Sequence, residues 1–345
     1  MRILSLDGMS AASLQIRLIR HYEERCPGFL SSVDVFCGAS DGGFMALYLA
    51  RHLTDDHATN LRVVDDAVRF NDELVPLFRV SLMKAARFAS GLYPLLYGNE
   101  LRDLFAKHLG EGSLGDLPRK VIIGSYGSQS WQPRLFTNVE EIARPPYTAH
   151  SDTSLSLVDV ASATSALPLA LPLATVGKQR LVDGGWVANN PTLLGVGMMV
   201  QAQVDGGLSR AEAFDRLRVL SLGCTTSKDE HEKVVRRQLF GIRKRLYERS
   251  EWGWLQWVAL RPLLLLEMTL QGAMDVADFQ CRALLSDERY RRIRPPLDEL
   301  GVGFQLMLRR PEVFIGAMET TRATLTSTPE WSDRNTTWIR DRFMA

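Results

Sequence analysis

Cysteine is scarce: Cys26, Cys37, Cys224 and Cys281 are scattered along 345 residues with no C-x-x-C pair. Such spacing suggests neither a zinc site nor a dense disulfide framework, and it fits a reducing compartment. Charge of one sign is lacking too. There are 41 Lys and Arg against 40 Asp and Glu, a formal net charge of +1. No overall field therefore draws in nucleic acid or an anionic surface, and charged partners have to be met by local patches. The opening MRILSLDG lacks the basic start and long apolar run of a signal peptide, so a cytoplasmic location is expected. The longest apolar stretch, Trp252 to Gln271, is interrupted by Arg261, Pro262 and Glu267. It makes a poor membrane span and leaves peripheral contact with a membrane open.

What remains is the composition of an ordinary folded chain, 46% apolar and 23% charged, with enough apolar material for a sizeable core. β-rich runs alternate with helical patterns. Ile3 to Leu6 precedes a helix through Leu14 to Glu24, and Val33 to Cys37 precedes a helix from Gly43 to Leu53. That order predicts an α/β fold with a mostly parallel central sheet and crossover helices. From about Leu61 to Leu109 apolar residues recur at helical spacing, which reads as a helical insertion. Further strands are expected at Val121 to Ile123, at Arg134 to Thr137, in a short run ending at Val182, and at Leu217 to Leu222. The part from about 228 to 345 reads as mainly helical, and no internal repeat appears. The expectation is one domain over 1–345 with helical additions.

Gly38-Ala39-Ser40-Asp41-Gly42 lies between the run VDVFC and the apolar GGFMALYLA. This is the strand, sharp turn and helix of a nucleophile elbow. Gly38 and Gly42 relieve crowding there, and Ser40 is thrust out near a helix N-terminus that favours negative charge. A bare G-x-S-x-G arises by chance at roughly 0.1 per chain of this length, so its context carries the reading. A serine nucleophile needs a base. His231 sits in a charged run that suits a solvated helix face, while His52, His108 and His150 have no supporting motif. Asp183 is the better partner, since Leu181-Val182-Asp183-Gly184-Gly185 ends a strand in a carboxylate followed by two glycines. A simple turn is the competing reading of Asp-Gly-Gly. Asp41 is the poorer base, because neighbouring side chains on a tight turn point apart. Asn190 and Pro191 read as the cap and first residue of a helix.

Several segments together resemble the patatin-like phospholipases: ILSLDG, GASDG, SATSALPLALP, VDGGWVANNPTLL and VLSLG follow one another in that family's order, and QGAMDVADFQ with Arg289 to Ile293 is similar to its bacterial members. The resemblance implies a modified α/β-hydrolase fold and a Ser40–Asp183 dyad that needs neither metal nor cofactor. It implies fatty-acyl esters as substrates and no nucleic-acid partner. It also implies an oxyanion hole built from backbone N–H groups of Gly8, Met9 and Ser10. There the chain departs from the family's D-G-G-G-x-[RK]-G, reading Asp7-Gly8-Met9-Ser10-Ala11-Ala12-Ser13. A non-glycine residue forced into a glycine conformation would store about 1–3 kcal/mol of strain.

These residues predict a serine acyl hydrolase working through an acyl-enzyme, with activity extending to mildly acidic pH and fading as Asp183 protonates. An acyltransferase or thioesterase could use the same acyl-enzyme, and the altered Asp7 to Ser13 loop keeps a non-catalytic lipid-binding protein in view. Basic residues from Lys233 to Arg249, followed by Trp252, Trp254 and Trp257, would suit an anionic bilayer or a solvated face equally.

Overall fold

Arg2–Leu6 forms the central strand β1, and every residue from Ile3 to Leu6 is buried. A strand covered on both faces reads as a near-continuous apolar run, and here only the buried Ser5 interrupts Ile3, Leu4 and Leu6. The structure, a computed structural model, describes residues 1–9, 12–139, 150–223, 253, 264–295 and 304–345. Around β1 it arranges β2 (Val35–Gly38), β3 (Lys120–Gly127), β4 (Pro133–Thr137), β5 (Ala174–Val176), β6 (Gln179–Val182), β7 (Arg218–Leu222) and β8 (Tyr290–Ile293) as an eight-stranded sheet. The order is β5-β6-β3-β2-β1-β7-β8, with β4 also on β3.

Successive residues of the inner strands sort into two cores. Leu4, Phe36, Val121 and Leu220 belong to the core shared with α1 (Ala12–Arg25) and α2 (Ser40–His52). Ile3, Val35, Ile122 and Val219 belong to the core shared with α8 (Thr192–Asp205). The result is helices on both faces of the sheet. Between α2 and β3 the chain is helical, through α3 (His57–Leu74), α4 (Leu82–Ala89) and α5 (Gly98–Leu109). The buried Arg17 joins α1 to α3 through Asp72 at 2.7 Å. It also reaches Glu319 at 3.2 Å, on the late helix Pro311–Ser327.

The sheet is mixed and mostly parallel, as expected, and it includes a strand that the sequence reading did not anticipate. Pairings β1–β2, β1–β7, β2–β3 and β7–β8 are parallel, but β3–β4, β3–β6 and β5–β6 are antiparallel. β8 is a strand in the part that reads as mainly helical. It is short and rich in arginine, with Arg292 buried among other groups, so it lacks an apolar run to announce it. Helix α8 also begins one residue later than expected, at Thr192, whose N–H donates to Asn190 Oδ1 at 3.1 Å.

The antiparallel pairings decide where the functional ends of the strands meet. Tyr126 pairs with Pro133 of β4 and with Val182 of β6, so β4 and β6 lie on opposite edges of β3. Ile122 and Ile123 are shared in the same way by β4 and β2. β2 and β6 therefore occupy one edge of β3. One runs parallel to β3 and the other antiparallel, and their carboxyl ends face each other across Gly124 and Ser125. The Ser125 hydroxyl ties the end of β6 to the helix Leu157–Thr164 at that gap, lying 2.7 Å from the Val182 carbonyl and 3.2 Å from that of Ala163.

At the other side of β1, a buried ion pair fixes β8 to the sheet. The Arg292 guanidinium donates from Nη1 to Asp7 Oδ1 at 3.0 Å and from Nη2 to Asp7 Oδ2. Nη1 also reaches the Ser221 hydroxyl at 2.5 Å. Both charged side chains are wholly buried, so removing one strands the other away from water. Arg292→Met is expected to lower the free energy of unfolding by about 3–5 kcal/mol in urea denaturation. Arg289→Ala, which breaks an exposed pair with Asp215, should change it by no more than about 1 kcal/mol.

Candidate active site

The meeting of β2 and β6 brings two side chains together. Ser40 follows β2 as the first residue of α2, and Asp183 follows β6. The Ser40 hydroxyl donates to Asp183 Oδ2 at 2.7 Å. Ser40 has φ 52, in the left-handed region that β-carbon-bearing residues avoid. Such a backbone costs about 1–3 kcal/mol and persists only where its surroundings impose it. Here the surroundings are tight: a β-carbon at Gly42 would come within 2.3 Å of the Leu6 carbonyl oxygen, and one at Gly38 within 2.5 Å of that of Gly42. The elbow can thus press directly on the end of β1. The Ser40 N–H is held by Thr164 Oγ1 at 3.0 Å.

Asp183 is 2% exposed. Its other oxygen, Oδ1, accepts the Gly185 N–H at 2.7 Å, and its own N–H donates to the Ala166 carbonyl at 3.0 Å. Burial pushes its carboxyl up to about 7, with the bonds from Gly185 and Ser40 pulling the other way. Burial is also what raises Asp41 to about 7, opposed by the Ala12 N–H and reinforced by the nearby Asp183. The Ser40 hydroxyl is held by Asp183, whereas the Asp41 carboxyl holds the loop after β1. Its Oδ2 accepts the Ala12 N–H at 3.0 Å, and its Oδ1 is buried without a hydrogen-bond partner among the described residues.

The loop between β1 and α1 is anchored at both ends beside Ser40. At the near end, the Gly8 N–H donates to the Asn189 carbonyl at 3.0 Å. This corrects the expectation that Gly8 is an oxyanion donor, since its donor is already engaged. Gly8 serves another purpose: a β-carbon there would lie 2.4 Å from Asn189 Oδ1 and 3.0 Å from the Ser40 β-carbon. Only a glycine lets the loop approach the serine so closely. Met9 follows with φ 68, so the left-handed conformation anticipated for this loop is adopted by a methionine. Its N–H makes no hydrogen bond to a described residue. Ser10 lies outside the described residues. At the far end, Asp41 holds Ala12.

Sequence reasoning paired Ser40 with Asp183 but gave no role to Thr164 or Asn189, and it discounted Asp41 as a base without seeing what the carboxyl holds. Thr164 falls inside SATSALP, a segment noted only for resemblance, so a signal existed without a chemical meaning. Among the histidine alternatives, His52 and His108 are engaged with other groups. His52 ends α2, about 18 Å along the helix from Ser40, and its Nε2 is 3.1 Å from the His108 carbonyl. His108 Nε2 is 2.9 Å from Glu73. The His150 side chain and all of His231 fall outside the described residues. Among the described residues no group of three or more His, Cys, Asp or Glu is arranged to hold a metal ion.

The family model of patatin-like phospholipases matches residues 8–195, a stretch containing Gly8, Ser40 and Asp183. Patatin-like protein 1 of Arabidopsis thaliana is 25% identical over 84% of this chain and 73% of its own length. Patatin-like protein 2 of the same plant is 27% identical, over 76% of this chain and 65% of its own. The cGAMP-activated phospholipase of Vibrio cholerae is 30% identical over 56% of each. The chain thus spans between about half and three quarters of the length of these relatives. With more than half of its 345 residues matched by the family model, the chain belongs to the patatin-like phospholipase family, lipid acyl hydrolases that act on ester bonds.

Proposed function

We propose that this chain hydrolyses fatty-acyl esters with Ser40 as nucleophile and Asp183 as its base. The observation that carries the reading is the 2.7 Å bond from the Ser40 hydroxyl to a buried carboxylate oxygen, made by a serine held in a left-handed elbow. Attack by Oγ on the ester carbonyl carbon passes the serine proton to Asp183 Oδ2. The negative charge that forms on the carbonyl oxygen meets the N–H of Met9 and the positive end of α2. Collapse of the adduct breaks the bond to the alcohol, which leaves with the proton from Asp183. Water then gives a proton to Asp183 and attacks the acyl-serine, and breakage of that bond frees the fatty acid while the proton returns to Ser40. Ser40→Ala should lower kcat on a soluble short-chain ester by about 10⁴-fold or more. A variant that kept most of its activity would remove Ser40 from the reaction.

A carboxyl raised to about 7 changes the expected pH dependence. Asp183 must be ionised to take a proton, so activity rises with pH through about 7 and levels off above it. The fading of activity as Asp183 protonates, expected below mildly acidic pH for a carboxyl near its ordinary value, is thereby moved to about 7. An acid limb near pH 4 in the profile of kcat/KM would contradict the assignment of Asp183 as a desolvated base.

The same shift bears on stability. Between the unfolded value near 3.8 and the folded value of about 7, the native state keeps a proton that the unfolded state releases. Stability contributed by this group therefore falls as pH rises through that window. Asp183→Asn is expected to be inactive and yet to melt higher than wild type at pH about 8, because it removes a buried charge. Melting curves at pH about 5 and 8 measure the difference.

Because the proposed oxyanion donor is backbone, the Met9 side chain is dispensable. Met9→Gly should retain kcat while relieving the cost of φ 68. A loss of about 10²-fold would mean that the methionine side chain itself shapes the hole.

A further inference from the structure

Between Glu73 and Glu100 the chain has no acidic residue, yet it carries Arg79, Lys84 and Arg87. Helix α4 lies in this stretch and has no buried residue at all. Its first residues, Leu82 and Met83, are 92% and 65% exposed, and Leu92, which follows the helix, is 81% exposed. Large apolar side chains so open to water cost free energy unless something covers them. The cations are distributed with the same bias. Arg79 and Lys84 have carboxylates in reach, Glu312 and Glu100. Arg87 pairs with no carboxylate among the described residues and lies over the rings of Tyr93 and Tyr97, at 4.7 and 4.5 Å from their centroids. Exposed leucine and methionine on an element that also carries tyrosine and a guanidinium without a carboxylate partner among the described residues is the composition of an element that rests in the interface of a bilayer.

Its position ties it to the dyad. The Asp183 N–H bonds to Ala166, and three residues further on Leu169 stands 54% exposed with φ 70. That places it within about 10 Å of Ala166 along the chain. The Leu169 and Ala170 carbonyls accept the N–H groups of Leu95 and Leu96, so the strap from the dyad is joined by backbone bonds to the stretch that carries Leu92 and Tyr93. No helix among the described residues is long and apolar enough to cross a membrane. The basic and tryptophan-rich stretch from Lys233 to Trp257, apart from Gly253, lies outside the described residues.

We propose that α4 with Leu92, Tyr93 and Leu169 is an interfacial docking surface that seats this chain on an anionic phospholipid bilayer beside the Ser40–Asp183 site. The inference rests on the lipid-hydrolase reading for its purpose, but binding can be measured without turnover. The test uses the full chain carrying Ser40→Ala, sedimented with large vesicles of equimolar phosphatidylcholine and phosphatidylglycerol and with vesicles of phosphatidylcholine alone. Binding is expected to favour the anionic vesicles. Leu82→Glu with Met83→Glu should weaken it by about tenfold or more. Arg87→Gln should weaken it by about fivefold on anionic vesicles only. Because these side chains are exposed, thermal melting should stay close to that of the parent. The proposal is overturned if the parent does not sediment with either vesicle, if the α4 variants sediment as well as the parent, or if Phe279→Glu, on the exposed face of the helix Leu264–Leu284, abolishes binding while the α4 variants do not. Hydrolysis of a dissolved short-chain ester by the wild-type chain separates the two readings. Vesicle binding without ester hydrolysis would leave the docking surface standing and remove the hydrolase, and ester hydrolysis with undiminished binding by the α4 variants would do the reverse.

Discussion

Strand β3 accepts two neighbours on one edge, and the position of the dyad follows from their opposite directions. A strand edge usually serves one partner along its length. Here β2 occupies the first half and β6 the end, and because one is parallel and the other antiparallel, both finish at the same gap. Each chain turn that leaves the gap carries one member of the hydrogen-bonded pair, Ser40 or Asp183. The serine end needs a sharp turn into a helix, and the aspartate end needs only a short one, which is why the glycines cluster differently in GASDG and DGG. Neither turn would bring Ser40 within hydrogen-bond reach of Asp183 if β6 ran the other way.

The site is built from groups that weaken the fold. Ser40 and Met9 both hold left-handed backbones, and the Asp183 carboxyl and the Asp41 Oδ1 atom are taken out of water. These costs are borne by the two apolar cores and by the Arg292–Asp7 pair, which lies at the end of β1 from which the strained loop departs. Asp41 links the two strained turns by holding Ala12, so the loop and the elbow are set relative to each other by a single carboxyl. On the proposed reading, such an arrangement is a preorganised site, with the Asp183 carboxyl and the Met9 N–H in place before substrate arrives.

Much of this was legible in the sequence. The inner strands are apolar because both faces are covered, and the strand–Ser–helix junction announces itself by its glycines, so β1, β2, α2 and the pairing of Ser40 with Asp183 could be anticipated. Direction could not. Hydrophobic pattern says that Gln179 to Val182 can be a strand, but it does not say which way the strand runs, and the antiparallel placement of β6 is a matter of which neighbour has a free edge. β8 was hidden because one of its buried residues is an arginine whose partner, Asp7, is 285 positions away. The engagement of the Gly8 donor by Asn189 was hidden for the same reason, as it depends on a carbonyl from a distant turn. Contacts of this kind leave no local periodicity to read.

The place of β1 in the sheet also governs how the fold can assemble. One of its edges is completed by β2, a few tens of residues away, but the other waits for β7, where the Met1 amino group and the Arg216 carbonyl join across 215 positions. Until that long loop closes, the buried central strand of the sheet presents an open edge to solution. Closure is therefore slow by virtue of topology, and a chain truncated before β7 would retain the elbow while exposing a strand edge ready to pair with another copy.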